Sequence, residues 1–340
     1  SFSFQSRAPP MSQILVEDLA KTYRVAERDP GLLGAVKGLV HRRHRTVEAL
    51  RDVSFSLEAG ELLGFIGPNG AGKSTTIKIL SGILKPDAGT VLVNGRVPFN
   101  DRIAHVSKIG VVFGQRTQLW WDLPVSEGFD LLADIYRVEP ARYRANRDEL
   151  VALLRLERVL DQPVRQLSLG QRMRAEIAAA LLHEPDILFL DEPTIGLDAP
   201  SKLAVREVVR RLNRERGVTV LLTTHDMHDI EALAQRVIVI GHGQVLADSP
   251  FETLRANVLA ERRLVVDFAH AAPEIVMAGV EVRRRQGQTL ELAFDPARTP
   301  TPNLIAALAA AHEVIDIHVG EPAIEEVIAR FYDLHGAGEA

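Results

Sequence analysis

Residues 64–75, Gly-Phe-Ile-Gly-Pro-Asn-Gly-Ala-Gly-Lys-Ser-Thr, limit what this chain can fold into more than any other segment. From Gly67 onwards they fit the phosphate-binding pattern G-x-x-x-x-G-K-[S/T], the P-loop. The apolar run 62–66 before the loop is typical of a buried strand, and residues 75–84 after it are typical of a helix. A strand, a glycine-rich turn and a helix in this order predict a nucleoside triphosphate site.

The chemistry of this loop suits phosphate oxygens. Gly67, Gly70 and Gly72 allow positive φ angles and let the backbone come close to a ligand. The N–H groups of the loop then converge on the phosphates at a helix N-terminus, where the helix dipole also favours an anion. We expect Lys73 to reach the β- and γ-phosphates and the Ser74 hydroxyl to bind Mg²⁺.

Two adjacent carboxylates follow a second apolar strand. Residues 187–190 are fully apolar and lead into Asp191 and Glu192, before Pro193. A carboxylate placed there relative to a P-loop is the Walker B arrangement, in which it binds Mg²⁺. Because Glu192 lies at the phosphate end of the strand, it is placed to polarise a water molecule as a general base.

The composition excludes several other classes of function. A net charge of −5 gives no support for a nucleic-acid partner, and none is expected. With no cysteine, the chain has no disulfide, thiolate metal site or cysteine nucleophile. No stretch approaches the roughly 18 consecutive apolar residues of a membrane span, so we expect any work at a membrane to be done through partners.

Apolar runs alternate with helical patterns along the first 250 residues. These runs indicate strands that are buried on both faces, which predicts an α/β fold of the P-loop type with a mainly parallel sheet. Residues 14–16 predict a further short strand, and the alternation at 53–57 predicts an antiparallel one. The buried strands are predicted at 62–66, 109–113, 187–190, 218–222 and 237–240.

Its 340 residues allow about two domains. We predict a nucleotide-binding domain at 11–250, with a helical subdomain at 116–165 and an insertion at 26–46, and an α+β domain at 255–340. Residues 1–10 are interpreted as an expression tag or a disordered extension. The insertion ends in the basic run His-Arg-Arg-His-Arg. It suits an amphipathic helix that contacts a membrane surface or a partner protein, or else a solvent-exposed insertion between two strands.

Taken in order, the motifs resemble those of the ATP-binding subunits of ABC transporters over about residues 12–250. Each motif is weak alone, but seven in the family's order are specific. The matches beyond those above are Tyr23 for the aromatic residue that stacks on adenine, Gln115 for the Q-loop, Leu167–Gln171 for the signature motif, Gly196–Asp198 for the D-loop and His225 for the switch histidine.

The resemblance implies a head-to-tail homodimer in which each ATP lies between one Walker A loop and the other copy's signature motif. It implies that Glu192 activates the water, that His225 holds the γ-phosphate, and that Gln115 acts in catalysis and, with Ser74 and Asp191, holds Mg²⁺. It also implies transmembrane permease partners at the cytoplasmic face of the membrane. The residues implied to bind ATP are Tyr23, Gly67, Pro68, Asn69, Gly70, Ala71, Gly72, Lys73, Ser74, Thr75, Ser168, Gly170, Gln171 and Asp198.

One residue departs from the family pattern. The signature reads Leu-Ser-Leu-Gly-Gln, with Leu169 where most of the family has glycine. Its N–H is still available, but its Cβ restricts φ. We expect the motif to bind phosphate. The sequence does not determine how Leu169 affects the geometry of the dimer.

Three segments point to a branch of the family. Trp120 and Trp121 follow the Q-loop glutamine, and because adjacent strand side chains face opposite ways, one is expected to be exposed at an interface. The alternative is that both pack within a loop. Three segments, namely 113–124 with these tryptophans, the insertion and the closing segment 321–327, resemble those of a group of bacterial ABC ATPases. The separately encoded permeases of that group export drugs, polyketides, polysaccharides or lipids.

Exporter ATPase is therefore the leading interpretation. An importer ATPase is the alternative, since some of those also carry a small regulatory α+β domain. An ABC ATPase of translation, repair or cluster assembly is less favoured, because the chain has one P-loop and lacks coiled-coil and zinc insertions. The 255–340 domain is interpreted as a support or regulator of dimer closure.

Overall fold

The computed structural model describes five stretches of the chain, namely residues 12–26, 44–114, 116–258, 262–320 and 331–332, without the side chains of 255–258. These residues form two compact units that divide between Ser249 and Pro250. Four of the sequence predictions fall outside the described residues: the extension 1–10, most of the insertion (27–43), Gln115, and the closing segment 321–327.

The sheet that carries the P-loop has six strands, and all residues of its two central strands, β3 and β7, are buried. Its strands are β3 Leu62–Ile66, β5 Ile109–Phe113, β6 Ile187–Asp191, β7 Thr219–Thr223, β8 Arg236–Gly241 and β9 Gln244–Pro250. They lie in the order β5-β6-β7-β3-β8-β9, and the four pairs from β5 to β8 are parallel. The predicted α/β fold with a mainly parallel sheet is confirmed.

The first unit also contains a three-stranded antiparallel sheet. Its strands are β1 Ile14–Ala26, β2 His44–Leu57 and β4 Ala88–Val93, in the order β2-β1-β4. β1 is much longer than the predicted 14–16, because pairing with β2 continues as far as Ala26. Register shifts after Val16 and Leu19 interrupt the alternation of apolar and polar residues, so the sequence pattern does not show this extension.

The described part of the first unit contains seven α-helices. Asp198 caps the longest of them by accepting a hydrogen bond from the Ser201 N–H, and Gly217, at φ 64°, ends it. This helix was not predicted from the sequence. The helices are α1 Lys73–Leu80, α2 Arg102–Val106, α3 Val125–Tyr136, α4 Pro140–Leu154, α5 Leu169–Leu181, α6 Ala199–Arg216 and α7 Met227–Leu233.

Helix α1 ends earlier than the sequence predicts. The apolar pattern continues to Leu84, but the helix ends at Leu80. Gly82 takes φ 74°, and the N–H groups of Ile83 and Leu84 both donate to the carbonyl of Lys78 at 2.9 Å. A left-handed glycine with such bonds is the usual way to end a helix.

The second unit has α+β architecture, as the sequence predicts. It begins with α8 Phe251–Val258 and contains an antiparallel sheet of β10 Arg262–Phe268, β11 Val280–Gln286, β12 Thr289–Phe294 and β13 Val314–Gly320, in the order β11-β12-β10-β13. Helix α9, Thr301–Ala311, contributes Leu304 and Leu308 to the core over the sheet. Among the described residues of the whole chain, none of the helices combines the length and apolar character that crossing a membrane requires.

Candidate active site

Three predicted motifs meet at one edge of the parallel sheet. Strand β3 lies beside β7, with Phe65 level with Thr223, and β6 lies on the other side of β7, with Asp191 level with Thr223. Because parallel strands point the same way, the loops that follow β3, β6 and β7 leave the sheet at the same edge. The fold therefore brings the P-loop, the acidic pair and the segment of His225 together.

The P-loop has room only for glycine at two of its positions. A Cβ on Gly67 would lie 2.5 Å from the Ile240 carbonyl oxygen, and one on Gly72 would lie 2.7 Å from the Ala49 carbonyl oxygen. Gly72 also has φ 109°, which L-residues rarely adopt. It caps α1, so the loop leads directly into a helix N-terminus that favours an anion.

Lys73 is held inside the loop that it follows. Its ammonium donates to the Gly67 carbonyl at 2.6 Å and to the Pro68 carbonyl at 3.1 Å, and the residue is 6% exposed. Burial lowers the pKa of Lys73, because water no longer solvates the ammonium, while the carboxylates of Glu192 and Asp191 oppose this shift. The structure thus places a cation among the loop's backbone groups.

Asp191 is fixed by two hydroxyl groups. Ser74 Oγ donates to Asp191 Oδ1 at 3.0 Å, and Thr223 Oγ1 donates to the same oxygen at 2.7 Å. These are oxygen donors, which Mg²⁺ prefers, and in phosphate sites this ion takes one or two carboxylates together with substrate oxygens and water. One carboxylate and one hydroxyl therefore fit an ion that takes its other ligands from phosphate and water. The described residues contain no group of three or more His, Asp or Glu side chains that could hold a metal ion.

Glu192 has an unusual backbone conformation. Its φ is 54°, in the left-handed region, and its N–H donates to the carbonyl of Thr223 at 3.0 Å. Such a conformation costs on the order of 1–3 kcal/mol and persists only where the surroundings impose it. The Glu192 Oε1 atom lies 3.5 Å from Nδ1 of His225, so the structure brings the predicted base and the predicted switch histidine together.

Gly114, directly after β5, contacts this turn, and no sequence motif assigned it a role. Its N–H donates to the Asp191 carbonyl at 2.8 Å, and a Cβ there would lie 2.2 Å from the Glu192 carbonyl oxygen. The two backbones therefore touch directly before Gln115, which lies outside the described residues.

The signature motif and the D-loop form a second group. Ser168 and Gln171 make a reciprocal capping box at the start of α5, with the Ser168 N–H 2.8 Å from Gln171 Oε1. A Cβ on Gly170 would lie 2.2 Å from Ser201 Oγ and 3.7 Å from Asp198 Oδ1. The N-termini of α5 and α6 are therefore adjacent. No hydrogen bond between described residues joins this group to the P-loop.

Leu169 fits the signature helix without strain. It is the first residue of α5, where φ is negative, so its Cβ meets no conformational penalty. A Cβ on Gly196 would lie 3.0 Å from Leu169 Cδ2, which places the leucine side chain over the D-loop glycine. The two motifs thus pack against each other through this departure from the family pattern.

Tyr23 lies on the antiparallel sheet, and Trp120 and Trp121 lie in the segment after β5. Tyr23 is half-buried on β1, opposite Val47 of β2. Strand β2 reaches the P-loop through Leu50, whose Cδ2 would lie 2.5 Å from a Cβ on Gly72. Trp120 and Trp121 are 41% and 49% exposed, so both tryptophans, rather than one, reach the surface.

A buried glutamate holds the segment before these tryptophans, and the sequence analysis missed it. Glu176, on α5, is 3% exposed and accepts hydrogen bonds from the Thr117 hydroxyl and, at 3.0 Å, from the Gln118 N–H. Burial raises the pKa of Glu176, and the hydrogen bonds to Thr117 and to the backbone oppose this shift.

This shift predicts a pH-dependent stability. A raised folded-state pKa means that the contribution of Glu176 to stability is fully present below its unfolded pKa, about 4.3, and is lost as the pH rises through the folded value. The Tm of Glu176→Gln relative to the native chain is therefore expected to increase as the pH rises from about 4.3 towards neutral. Exposed Glu157→Gln is the control for loss of one charge, and a Tm difference for Glu176→Gln that does not change with pH would contradict the prediction.

The geometry of the site defines the class of protein. A P-loop cation, a hydroxyl-anchored aspartate and a glutamate next to a histidine, all at one edge of a parallel sheet, are the site of a P-loop nucleoside triphosphatase.

Comparison with known proteins gives the family. A family model described as ABC transporter matches residues 50–195. The methionine import ATP-binding protein MetN of Latilactobacillus sakei subsp. sakei (strain 23K) is 32% identical over 307 residues, 87% of this chain and 88% of that protein. The daunorubicin resistance ATP-binding protein DrrA3 of Streptomyces coeruleorubidus is 32% identical over 294 residues, 84% of this chain and 92% of that protein.

A solved dimeric structure shares the fold. It shows the ATP-binding cassette MJ0796 in a post-hydrolysis state bound to ADP and Pi, with a TM-score of 0.59 and 29% identity, over 70% of this chain and 98% of that chain. The chain belongs to the family of ABC transporter ATP-binding proteins. It binds and hydrolyses ATP as the ATPase subunit of a transporter.

Proposed function

We propose that the chain drives export of a drug, lipid or polysaccharide-type substrate, as a homodimer bound to separate permease subunits at the cytoplasmic face of the membrane. The observation that supports export is the segment 113–124, which resembles the exporter group and carries the exposed Trp120 and Trp121. Exposed tryptophans are characteristic of protein interfaces. DrrA3, a resistance ATP-binding protein, is similar along 92% of its own length.

In the proposed reaction the P-loop holds the triphosphate. Its N–H groups and the Lys73 ammonium neutralise the phosphate charge, at the N-terminus of α1. Ser74 and Asp191 hold Mg²⁺, which when bound stabilises the charge on the phosphate oxygens, and Gln115 is assigned to the same ion. Glu192 takes the proton of the attacking water, and general-base catalysis of this kind is worth on the order of 10²–10⁴ in rate. His225, 3.5 Å from Glu192, holds the γ-phosphate.

We infer that a second copy completes each site. The adjacent N-termini of α5 and α6 carry Ser168, Gly170 and Asp198, and no hydrogen bond between described residues connects them to their own P-loop. Two copies arranged head to tail present these termini to each other's ATP. The dimeric MJ0796 cassette supports this arrangement.

Import is the second candidate, because MetN, a methionine import protein, matches the chain equally well at 32% identity. A gentle-detergent pull-down of the tagged protein from its native membranes, with mass spectrometry of the partners, tests the proposal. Recovery of an exporter-type permease is the expected result. Recovery of an importer permease would replace export by import, and recovery of only soluble partners would contradict the transport role.

The same pull-down tests the tryptophan surface, defined here as Trp120 and Trp121. The double variant Trp120→Ala/Trp121→Ala is expected to recover much less permease. Ile135→Ala, which removes another exposed apolar side chain from the same helical region, is the matched control. Equal recovery by the tryptophan double variant and the control would exclude these two residues from the interface.

A further inference from the structure

A buried carboxylate lies behind the catalytic residues. Asp229, on α7, is fully buried. Its Oδ1 accepts a hydrogen bond from Arg206 Nε at 2.6 Å, and the Nη2 atom of the same guanidinium lies 2.6 Å from this oxygen. Its Oδ2 accepts from the Thr194 hydroxyl and, at 3.3 Å, from the Thr224 hydroxyl. Both carboxylate oxygens are therefore hydrogen-bonded, as a buried charge requires.

The three partners of Asp229 belong to three segments of the site. Thr194 lies two residues after Glu192, Thr224 directly precedes His225, and Arg206 lies on α6, the helix that Asp198 caps. One side chain thus connects the segment of the predicted base, the segment of the predicted histidine and the D-loop helix. We refer to Asp229, Thr194, Thr224 and Arg206 as the Asp229 cluster.

The charges around the cluster are balanced. Arg206 Nη2 also lies 3.8 Å from Asp226 Oδ1, and Lys202 of α6 pairs with Asp226. Two cations therefore face two carboxylates. Because removal of one member of a buried ion pair leaves a charge without compensation, separation of Asp229 from Arg206 is costly.

We propose that Asp229 is a positioning residue for ATP hydrolysis, acting on Glu192 through Thr194 and on His225 through Thr224. Glu192 holds a strained φ of 54°, which persists only where neighbouring contacts fix the turn. The Thr194 hydrogen bond fixes that turn from one side, and the Thr223 carbonyl bond to the Glu192 N–H fixes it from the other. The inference rests on the proposed roles of Glu192 and His225.

The test compares two substitutions of Thr194 in the full chain. Thr194→Val removes the donor hydroxyl at nearly constant volume, and Thr194→Ser keeps it. We expect Thr194→Val and Asp229→Asn to lower kcat at least about tenfold, because a displacement of about 1 Å at a reacting group costs up to 10²-fold. We expect KM for ATP to stay within about twofold, and Thr194→Ser to retain native kcat. The measurements are steady-state ATPase kinetics, with Tm for each variant.

Asp248→Asn is the matched control. Asp248 lies in the same unit, away from the site, and accepts two hydrogen bonds from Arg236, of 2.6 and 2.7 Å. Its substitution therefore removes an Arg–Asp pair without changing the Asp229 cluster. Its kcat is expected to match that of the native chain. If Asp229→Asn fails to fold, the Thr194 pair still decides. Native kcat in Thr194→Val, or equal losses in Thr194→Val and Thr194→Ser, would overturn the proposal.

A double variant separates this proposal from the assignment of the base. If Thr194 acts through Glu192, then Thr194→Val should lower kcat little further when Glu192 is already Gln. Independent losses that multiply would show that the threonine acts elsewhere, and would overturn the proposal. Full turnover in Glu192→Gln alone would instead remove Glu192 as the base and would show that the proposed function has failed at that residue.

Discussion

Glu192→Gln is expected to bind ATP, to lose nearly all hydrolysis and to accumulate as an ATP-bound dimer. The amide keeps the size and hydrogen-bonding capacity of the side chain but has no basic carboxylate to take a proton from water. The loss of general-base catalysis is worth on the order of 10²–10⁴ in turnover. Turnover is measured by phosphate release, and dimerisation by size-exclusion chromatography with and without ATP.

Asp186→Asn is the control for this experiment. Asp186 directly precedes strand β6, at the end opposite to Asp191, and pairs with Lys108 at 3.7 Å. Its substitution therefore removes a carboxylate next to the same strand without reaching the site. Its turnover is expected to equal that of the native chain. Substantial residual hydrolysis in Glu192→Gln would remove Glu192 from the catalytic role. A variant that neither hydrolyses nor binds ATP would show a folding defect instead.

Gly114→Ala is expected to damage both stability and turnover. Its Cβ would lie 2.2 Å from the Glu192 carbonyl oxygen and 3.2 Å from that of Asp191, and both are backbone atoms that cannot rotate away. Overpacking of this kind lowers the free energy of unfolding by about 1–3 kcal/mol. Because the displaced atoms belong to the acidic pair, we also expect turnover to fall by on the order of 10²-fold.

The measurement is a denaturant unfolding curve together with steady-state ATPase activity. Gly320→Ala is the matched control, since Gly320 also has no positive φ and, among the described residues, a Cβ there would meet only His318 side-chain atoms, at 3.6 and 3.7 Å. That variant is expected to keep native turnover. Native turnover in Gly114→Ala would show that β5 and the Asp191–Glu192 turn can separate without affecting catalysis.

Local patterns were sufficient to predict the fold class. The apolar runs of β3, β5 and β6 start at the predicted residues, because strands buried on both faces leave a continuous apolar signal. Helix α6 was missed although its buried residues Val205, Val208, Val209 and Leu212 have helical spacing. The helix was missed because many arginines and glutamates surround this apolar stripe. The stripe, together with Asp198 as the capping residue before it, predicts a helix.

The site was only partly predictable. Lys73, Ser74, Asp191 and Glu192 follow from motifs that are local in sequence. The contacts of Gly114, Glu176 and Asp229 join segments that are far apart in the chain, such as Thr117 and Glu176, 59 positions apart. Neither a buried glutamate nor a buried aspartate has a sequence signal that separates it from a solvated one, so only the folded chain shows them.

The two hydroxyl groups on Asp191 have a consequence for cation binding. Both Ser74 and Thr223 donate to Oδ1, so the rotation of the carboxylate is set by the fold, and the direction of Oδ2 is set with it. A carboxylate that is already oriented loses less rotational freedom when it captures an ion. The affinity of this site for a divalent cation therefore depends on Thr223, a residue of the neighbouring strand for which the proposed mechanism needs no contact with the ion.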